Sequence, residues 1–356
     1  MNIGILASGG DGVGMNAFLY GFCFWLHIKN KITLFSQGYK GLIYDKIVPF
    51  DLNFLRKNKN KGGICIKTSR CPEFETGEGI DDAIKTLQKY SIDCLVVMGG
   101  NGSLKGLKEI SDRGMDVMFV PCTIDNDLAG TDYCIGFDTA CQNSIDFVKQ
   151  VNDTMQSFNR TCIYQVMGRK CPQIAIKVAE SVDADYVFTD EYCTKEKCLE
   201  ALKQSTKDAP IVIVREDLLN VEELKQYIQE QLNTDVKIST IGYIQRGGKP
   251  TRKEKYFAKC FAKKCAWEIR RNRFNSAIIV KNNSFYAIDI NKIWFNGVSL
   301  SDKFFAFKII YLTFIKIKVC KLVAKVGLFM LKYNAKYLCC IFFAYNTVLL
   351  DKLDGG

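Results

Sequence analysis

The chain has 356 residues, 48% of them hydrophobic, and a formal net charge of +11 at pH 7. That length has room for about two domains of ordinary size, and the apolar share supports a sizeable core, as in a globular enzyme. Sixteen scattered cysteines with no C-x-x-C pair, beside a single histidine, His27, argue against a zinc site or a disulfide framework and for free buried thiols in a reducing cytoplasm. Charge is uneven: residues 1–245 hold 27 Lys/Arg against 32 Asp/Glu, and residues 246–356 hold 22 against 6. The basic run from Lys253 to Arg273 lacks a nucleic-acid-binding motif and reads as a solvated helix face, so no nucleic acid partner is expected.

Met1 leads straight into a short apolar run, Asn2 to Ala7, so no signal peptide is expected. The run breaks into Ser8-Gly9-Gly10-Asp11-Gly12-Val13-Gly14 and then into a helix beginning near Met15. This helix is apolar nearly all round, with Phe18, Phe22 and Trp25, which reads as a fully buried element. His27 at its end has no partner histidine and reads as structural. A second apolar run, Cys94 to Met98, breaks into Gly99-Gly100-Asn101-Gly102-Ser103 ahead of a helical stretch from Leu104 to Arg113.

Further on, the pattern predicts a strand at Val117 to Cys122, a helix from about Asp138 to Ser157 and a strand at Cys162 to Met167. A helix near Pro172 to Val182, a strand at Tyr186 to Thr189, a helix at Lys195 to Gln204 and a strand at Pro210 to Val214 follow. Val221 to Leu232 reads as an amphipathic helix, and Val236 to Ile244 as a strand ending in Gln245-Arg246-Gly247-Gly248. Strands alternating with helices read as parallel sheets with crossover helices. Because the alternation resumes near Cys162, the expected class is α/β: two similar Rossmann-like, three-layer domains with mainly parallel sheets and a cleft between them.

The chemistry concentrates at strand ends. Glycines there let backbone amides approach an anion with no Cβ in the way, and the following helix start adds a partial positive charge. The run Thr123-Ile124-Asp125-Asn126-Asp127 crowds two carboxylates into one turn. Such a pair is kept mainly where a cation, a basic substrate group or a proton-transfer task offsets the repulsion. Alone it reads as a solvated acidic turn. With two glycine loops at the C-terminal ends of strands in the same pattern, it implies a shared phosphate-binding crevice.

Seven segments then run in order: SGGDGVGMN (Ser8 to Asn16), GYKGL (Gly38 to Leu42), TSRCPEF (Thr68 to Phe74), GGNGS (Gly99 to Ser103), PCTIDNDLAGTDYCIGFDTA (Pro121 to Ala140), NRTCIYQVMGR (Asn159 to Arg169) and GYIQRGG (Gly242 to Gly248). Together they resemble the bacterial ATP-dependent 6-phosphofructokinases over roughly residues 1 to 290. The resemblance implies transfer of the γ-phosphate of Mg-ATP to the 1-hydroxyl of fructose 6-phosphate in glycolysis. It also implies an ATP-binding domain of residues 1–137 plus about 249–290, and a fructose 6-phosphate-binding domain of residues 138–248.

By the same resemblance, Asp125 is the base that takes the sugar hydroxyl proton, beside Asp127. Thr123 and Arg169 flank the transferred group, with Arg169 stabilising its developing charge. Gly10, Tyr39, Arg70, Cys71, Gly100, Asn101, Gly102 and Ser103 match nucleotide positions, and Ile124, Met167, Gly168, Glu216, Tyr243 and Arg246 match the sugar phosphate pocket. Arg160 and Lys237 match arginine positions that reach the sugar phosphate from a neighbouring subunit, so a homo-oligomer, a tetramer by resemblance, is expected in the cytoplasm. Any one of these cations, taken singly, reads as a surface ion pair. Mg2+ is the implied ion, at Asp125, Asp127 and Asn101. Diphosphate-using relatives carry an aspartate where this chain has Gly102 and a lysine where it has Cys122, so ATP is the expected donor.

Departures carry expectations of their own. Asn101 stands where the family has a metal-holding aspartate and is a weaker ligand for a hard cation. Lys237 replaces an arginine and loses its bidentate fork. Tyr243 replaces a histidine and keeps one hydroxyl donor. Tyr20, Phe24 and Asn152 stand where the family grips ADP or phosphoenolpyruvate with arginines, so no allosteric response is expected. Two functions stay open on the sequence: a working kinase, and a degenerate subunit that binds without appreciable turnover. From about Asn291 the likeness fades, and residues 291–356 are expected to be a divergent or frameshifted segment. Its longest uncharged run, Tyr337 to Leu350, has 14 residues, too short to span a bilayer, and membrane contact is not the preferred reading.

Overall fold

The computed structural model describes residues 1–75 and 77–295. Expectations about the segment beyond residue 295, its frameshifted origin and its apolar run included, lie outside the described residues.

In chain order the elements are β1 (Asn2–Ala7), α1 (Met15–Leu26), β2 (Lys31–Phe35), α2 (Gly38–Ile43), β3 (Ile47–Val48), α3 (Leu52–Asn58), α4 (Gly77–Lys89), β4 (Cys94–Gly99), α5 (Asn101–Ser111) and β5 (Asp116–Pro121). Then come α6 (Phe137–Ser157), β6 (Thr161–Val166), α7 (Gln173–Val182), β7 (Tyr186–Phe188), α8 (Lys195–Lys203), β8 (Ile211–Arg215), α9 (Val221–Leu232) and β9 (Val236–Thr240). The described residues close with α10 (Arg252–Ile269), β10 (Ser276–Lys281), β11 (Ser284–Asp289) and α11 (Ile290–Phe295). Seven strands form one sheet in the order β11-β10-β5-β4-β1-β2-β3, and four form another in the order β7-β8-β6-β9. The second sheet is parallel throughout. The first is parallel except at its edges, where β3 and β11 run antiparallel to β2 and β10. The fold is therefore α/β with two helix-covered, mainly parallel sheets.

Burial explains the strands. β1 and β4 are buried along nearly their whole length, the signature of a parallel strand covered by helices on both faces. On one face Ile3, Ile5 and Val96 meet Phe18, Phe22 and Phe261 of α1 and α10. On the other, Leu6, Leu95 and Val97 meet Ile80, Leu87 and Leu107 of α4 and α5. Each such side chain contributes about 1.5–3 kcal/mol by leaving water. The second sheet is covered the same way: Cys162 and Tyr164 pack on α6 and α7, and Val212 and Val214 on α8 and α9.

Two expectations about elements need correction. The predicted strand to Ile244 stops at Thr240, because its partner β6 pairs it only over Thr161 to Gln165. Gly242 then adopts φ +56°, and Gly242–Arg246 coils into a 3-10 turn. Helix α1 is not buried all round: Phe24 is 49% exposed, since α10 and α3 cover only one side. Uniform apolarity hid which side that is. The basic α10 does present its lysines as a solvated face, over a second face that buries Phe257, Phe261, Cys265 and Ile269.

Helix α6 joins the two sheets, and its start is fixed from α10. Glu254, fully buried, accepts hydrogen bonds from the amides of Gly136 (2.9 Å) and Thr139 (3.1 Å) and from the Thr139 hydroxyl (3.2 Å). Burial pushes this carboxyl up to about 7, while the two amides pull the other way. A carboxylate at a helix N-terminus satisfies donors that have no partner within the helix.

Candidate active site

The C-terminal ends of β1, β4 and β5 all open into one cavity of about 720 Å³. Both glycine loops and the acidic turn line it. After β1, Gly10 faces Arg246, and a Cβ there would make ordinary contact with its guanidinium at 3.7 Å. After β4, Gly99 has no room for a side chain, because a Cβ would fall 2.3 Å from the Ser103 hydroxyl and 2.8 Å from the Ser8 carbonyl. Ser103 uses that hydroxyl to donate to the Ser8 carbonyl at 2.9 Å, locking the two loops together. Helix α5 starts at Asn101 with Gly100 as its N-cap, so its free first-turn amides face the cavity rim, a favourable position for an anion.

Two buried aromatic rings back part of the cavity wall. Tyr39 stacks on Phe74 with ring centroids 3.9 Å apart and planes within 9°, and the Tyr39 hydroxyl donates to the Ser103 carbonyl at 2.6 Å. Arg70, Cys71, Ile80, Lys105, Gly106, Glu109 and Arg113 continue the lining. Burial raises the Cys71 thiol to about 11, which keeps it protonated and unreactive near neutrality.

The acidic turn meets two arginines in the same cavity: Thr123, Ile124, Asp125, Asp127, Arg169 and Arg246 line it together. Asp125 is 6% exposed, and its Oδ2 lies 3.8 Å from the Arg169 Nε. Burial first, then the Asp127 charge, pushes its carboxyl up to about 6, against the pull of Arg169 and Arg246. The Thr123 hydroxyl accepts from the Asp125 amide at 3.2 Å, closing the turn. Asn101 Nδ2 donates to Asp127 Oδ2 at 2.9 Å, so the amide engages the second carboxylate.

Arg169 comes from the other sheet, on the loop after β6. It adopts φ +48° next to Gly168 at φ +145°, and two side chains hold the backbone there. Glu216 Oε1 accepts from the amides of Gly168 and Arg169, both at 3.0 Å. Arg215 donates to the Arg169 carbonyl through Nη1 and to the Thr189 carbonyl through Nε at 3.0 Å. The Met167 amide donates to Gln245 Oε1 at 2.8 Å.

The structure thus brings Gly10, Tyr39, Arg70, Cys71, Gly100, Asn101, Gly102, Ser103, Thr123, Ile124, Asp125, Asp127, Arg169 and Arg246 to one cavity. Met167, Gly168 and Glu216 sit behind Arg169 as its supports. Arg160, just before β6, and Lys237, in β9, are not among the cavity-lining residues, and both pair with Asp235, at 2.5 and 3.0 Å. Tyr243 is 79% exposed, with Arg246 over its ring at 5.9 Å. His27 is far from this chemistry in role: its Nδ1 lies 3.1 Å from the carbonyls of Cys23 and Phe24 at the end of α1.

Oxygen donors suited to Mg2+ are present at the acidic turn. Two carboxylates, Asp125 and Asp127, line the cavity beside Asn101, whose Nδ2 faces Asp127, and Mg2+ commonly takes one or two carboxylates and fills its remaining positions with phosphate and water. Among the described residues there is no group of three or more His, Cys, Asp or Glu that could hold a metal ion.

The sequence profile described as Phosphofructokinase matches residues 2–269. The chain belongs to the phosphofructokinase family. It is 34% identical over 295 residues to the ATP-dependent 6-phosphofructokinase of Clostridioides difficile, covering 82% of this chain and 92% of that relative. Among solved structures it is similar to the Pichia pastoris phosphofructokinase in the T-state, with a TM-score of 0.76 and 25% identity over 82% of this chain. The chain spans only 35% of that much longer yeast chain. The pyrophosphate-dependent phosphofructokinase of Marinobacter aquaeolei shares the fold alone, with a TM-score of 0.72 at 16% identity, covering 82% of this chain and 83% of that one.

Proposed function

We propose that the protein transfers the γ-phosphate of ATP to the 1-hydroxyl of fructose 6-phosphate. The observation that carries this reading is the buried Asp125 carboxylate facing Arg169 across 3.8 Å, in the cavity that both glycine loops line. The loop amides and the α5 start receive the phosphates, Tyr39 and Phe74 back the wall beside them, and Asp125 and Arg169 meet in the same cavity. Asp125 takes the proton as the hydroxyl oxygen attacks phosphorus, and Arg169 stabilises the charge that gathers on the transferred oxygens. Mg2+ held by Asp127 and Asp125, with the Asn101 oxygen, would neutralise phosphate charge there.

Donor choice follows from Gly102 and Cys122. A Cβ at Gly102 would meet nothing within 4 Å, so a carboxylate on it would enter the cavity and repel the α-phosphate of a nucleotide. Cys122 is buried and carries no charge to draw in diphosphate. Fructose 1,6-bisphosphate formation by the purified chain, followed with ATP and then with diphosphate as donor, tests the reading. Product with ATP alone supports it, and product with diphosphate alone overturns it.

The Asn101–Asp127 hydrogen bond favours a second reading, a phosphofructokinase-like subunit that binds ligands with little turnover. Replacing the amide by a carboxylate decides between them. Asn101→Asp is expected to raise the rate and to lower the Mg2+ concentration for half-maximal rate, each roughly tenfold. No change in either would count against the metal role of this position. Regulation is expected to be absent, because Tyr20, Phe24 and Asn152 offer no cation to a nucleotide. Steady-state rates at several fructose 6-phosphate levels should be unchanged by added ADP, and clear activation would refute this.

A further inference from the structure

The acidic turn is fastened to the second sheet by one side chain that neither its sequence position nor the family assignment singles out. Asn126, between the two carboxylates, is 2% exposed and adopts φ +52°. Its carbonyl oxygen Oδ1 accepts from the Cys134 amide at 2.7 Å, and its Nδ2 donates to the Asp132 carbonyl at 3.2 Å and to Gln173 Oε1 at 2.6 Å. Gln173 answers by donating from Nε2 to the Asn126 backbone carbonyl at 3.1 Å. Gln173 is the first residue of α7, four positions after Arg169. The pair of amides therefore connects the turn carrying Asp125 and Asp127 to the loop carrying Arg169.

We infer that Gln173 is a positioning residue which sets the separation between Asp125 and Arg169 by clamping Asn126 from the start of α7. The two groups come from different sheets, and on the Arg169 side Glu216 and Arg215 already immobilise the backbone. The Gln173 clamp supplies the corresponding hold on the acidic side. Thr123 and Asn101 fix only the turn's own sheet, through the Asp125 amide and the Asp127 carboxylate. A left-handed asparagine with both its side chain and its carbonyl engaged has little freedom to drift. Removing the clamp leaves the turn folded by its Cys134 and Asp132 bonds, but frees it to slide relative to Arg169. Misplacement of reacting groups by about 1 Å can cost roughly 10²-fold in rate.

This inference rests on the proposed phosphoryl transfer, and its test separates the two. Gln173→Met keeps the volume and removes both hydrogen bonds. It is expected to lower kcat by roughly 10²-fold with the KM for each substrate nearly unchanged. In an Arg169→Ala background the same substitution should cost less than about threefold, because the distance it protects no longer matters. Gln173→Glu keeps the acceptor for Asn126 Nδ2 and should restore part of the loss; it carries the test if the methionine variant fails to fold. Equal losses in both backgrounds, or a rise in KM at constant kcat, would overturn the inference. If the wild-type chain makes no product, the proposed function fails, and a crystal structure of the variant still decides this point. An Asp125–Arg169 separation unchanged from 3.8 Å would refute the clamp, and a widened one would support it.

Discussion

Asp125→Asn is expected to reduce kcat by about 10²–10⁴-fold, the usual range for losing a positioned general base, while ATP binding persists. The amide matches the carboxylate in size, so the cavity keeps its shape while the proton acceptor and one negative charge beside the metal position are lost. The same group should set the acid limb of the wild-type pH profile. Its carboxyl is pushed up to about 6 by burial and by Asp127, so it is charged and able to accept a proton above that pH, and activity should fall as pH drops through it. The stability effect has the opposite sign. A carboxyl with a folded pKa above its unfolded value costs nothing at pH below the unfolded value of 3.8 and costs progressively more as pH rises towards about 6, then levels off. That cost is on the order of 3 kcal/mol at neutral pH, so the asparagine variant should melt a few degrees higher than the wild type. Parallel thermal melts and product assays would read both effects, and a variant that is both less stable and fully active would contradict the assignment.

Arg169→Ala is expected to cost about 10²–10³-fold in kcat, the range for removing one charged group aimed at a transition state. Its side chain is 58% exposed, so the pair with Asp125 contributes little to folding, in line with solvent-screened ion pairs. The loss should therefore appear in kcat and not in the melting temperature. A second consequence follows from the pull Arg169 exerts on Asp125. Without that charge the Asp125 carboxyl should rise further, moving the acid limb of the residual activity to higher pH. Measuring kcat from pH 5 to 8 in both proteins would check this; an acid limb that stays in place would show that Arg169 does not act on the base, and an unchanged kcat that it does not act on the transferred group.

Much of this arrangement was legible in the sequence because its signals are local. Apolar runs ending in glycine mark β1 and β4, and the Asp125–Asp127 pair marks the end of β5. Those three junctions do line one cavity. What stayed hidden depends on partners distant along the chain. Gln173 reaches Asn126 over 47 positions, and Glu254 reaches Gly136 over 118; a buried polar residue inside a helix gives no sign of its partner until the fold is known. Phe74 lay within a recognised segment, yet its stacking on Tyr39 depends on the approach of α2 to the turn before α4. The hairpin of β10 and β11 had a signal that could have been read. Asn282 and Asn283 sit between two runs of strand-forming residues and adopt φ +49° and +59°, the pair of left-handed conformations that two-residue hairpins favour. The partial exposure of α1 had none, since an apolar helix looks alike on both sides.

The most direct test of the central claim is transfer of labelled γ-phosphate from ATP to fructose 6-phosphate by the purified full-length chain with Mg2+, run beside Asp125→Asn. The account predicts labelled fructose 1,6-bisphosphate from the wild type and at most about one hundredth of that rate from the variant. Equal rates from the two proteins, or nucleotide binding with no label in the sugar at any Mg2+ concentration, would contradict it.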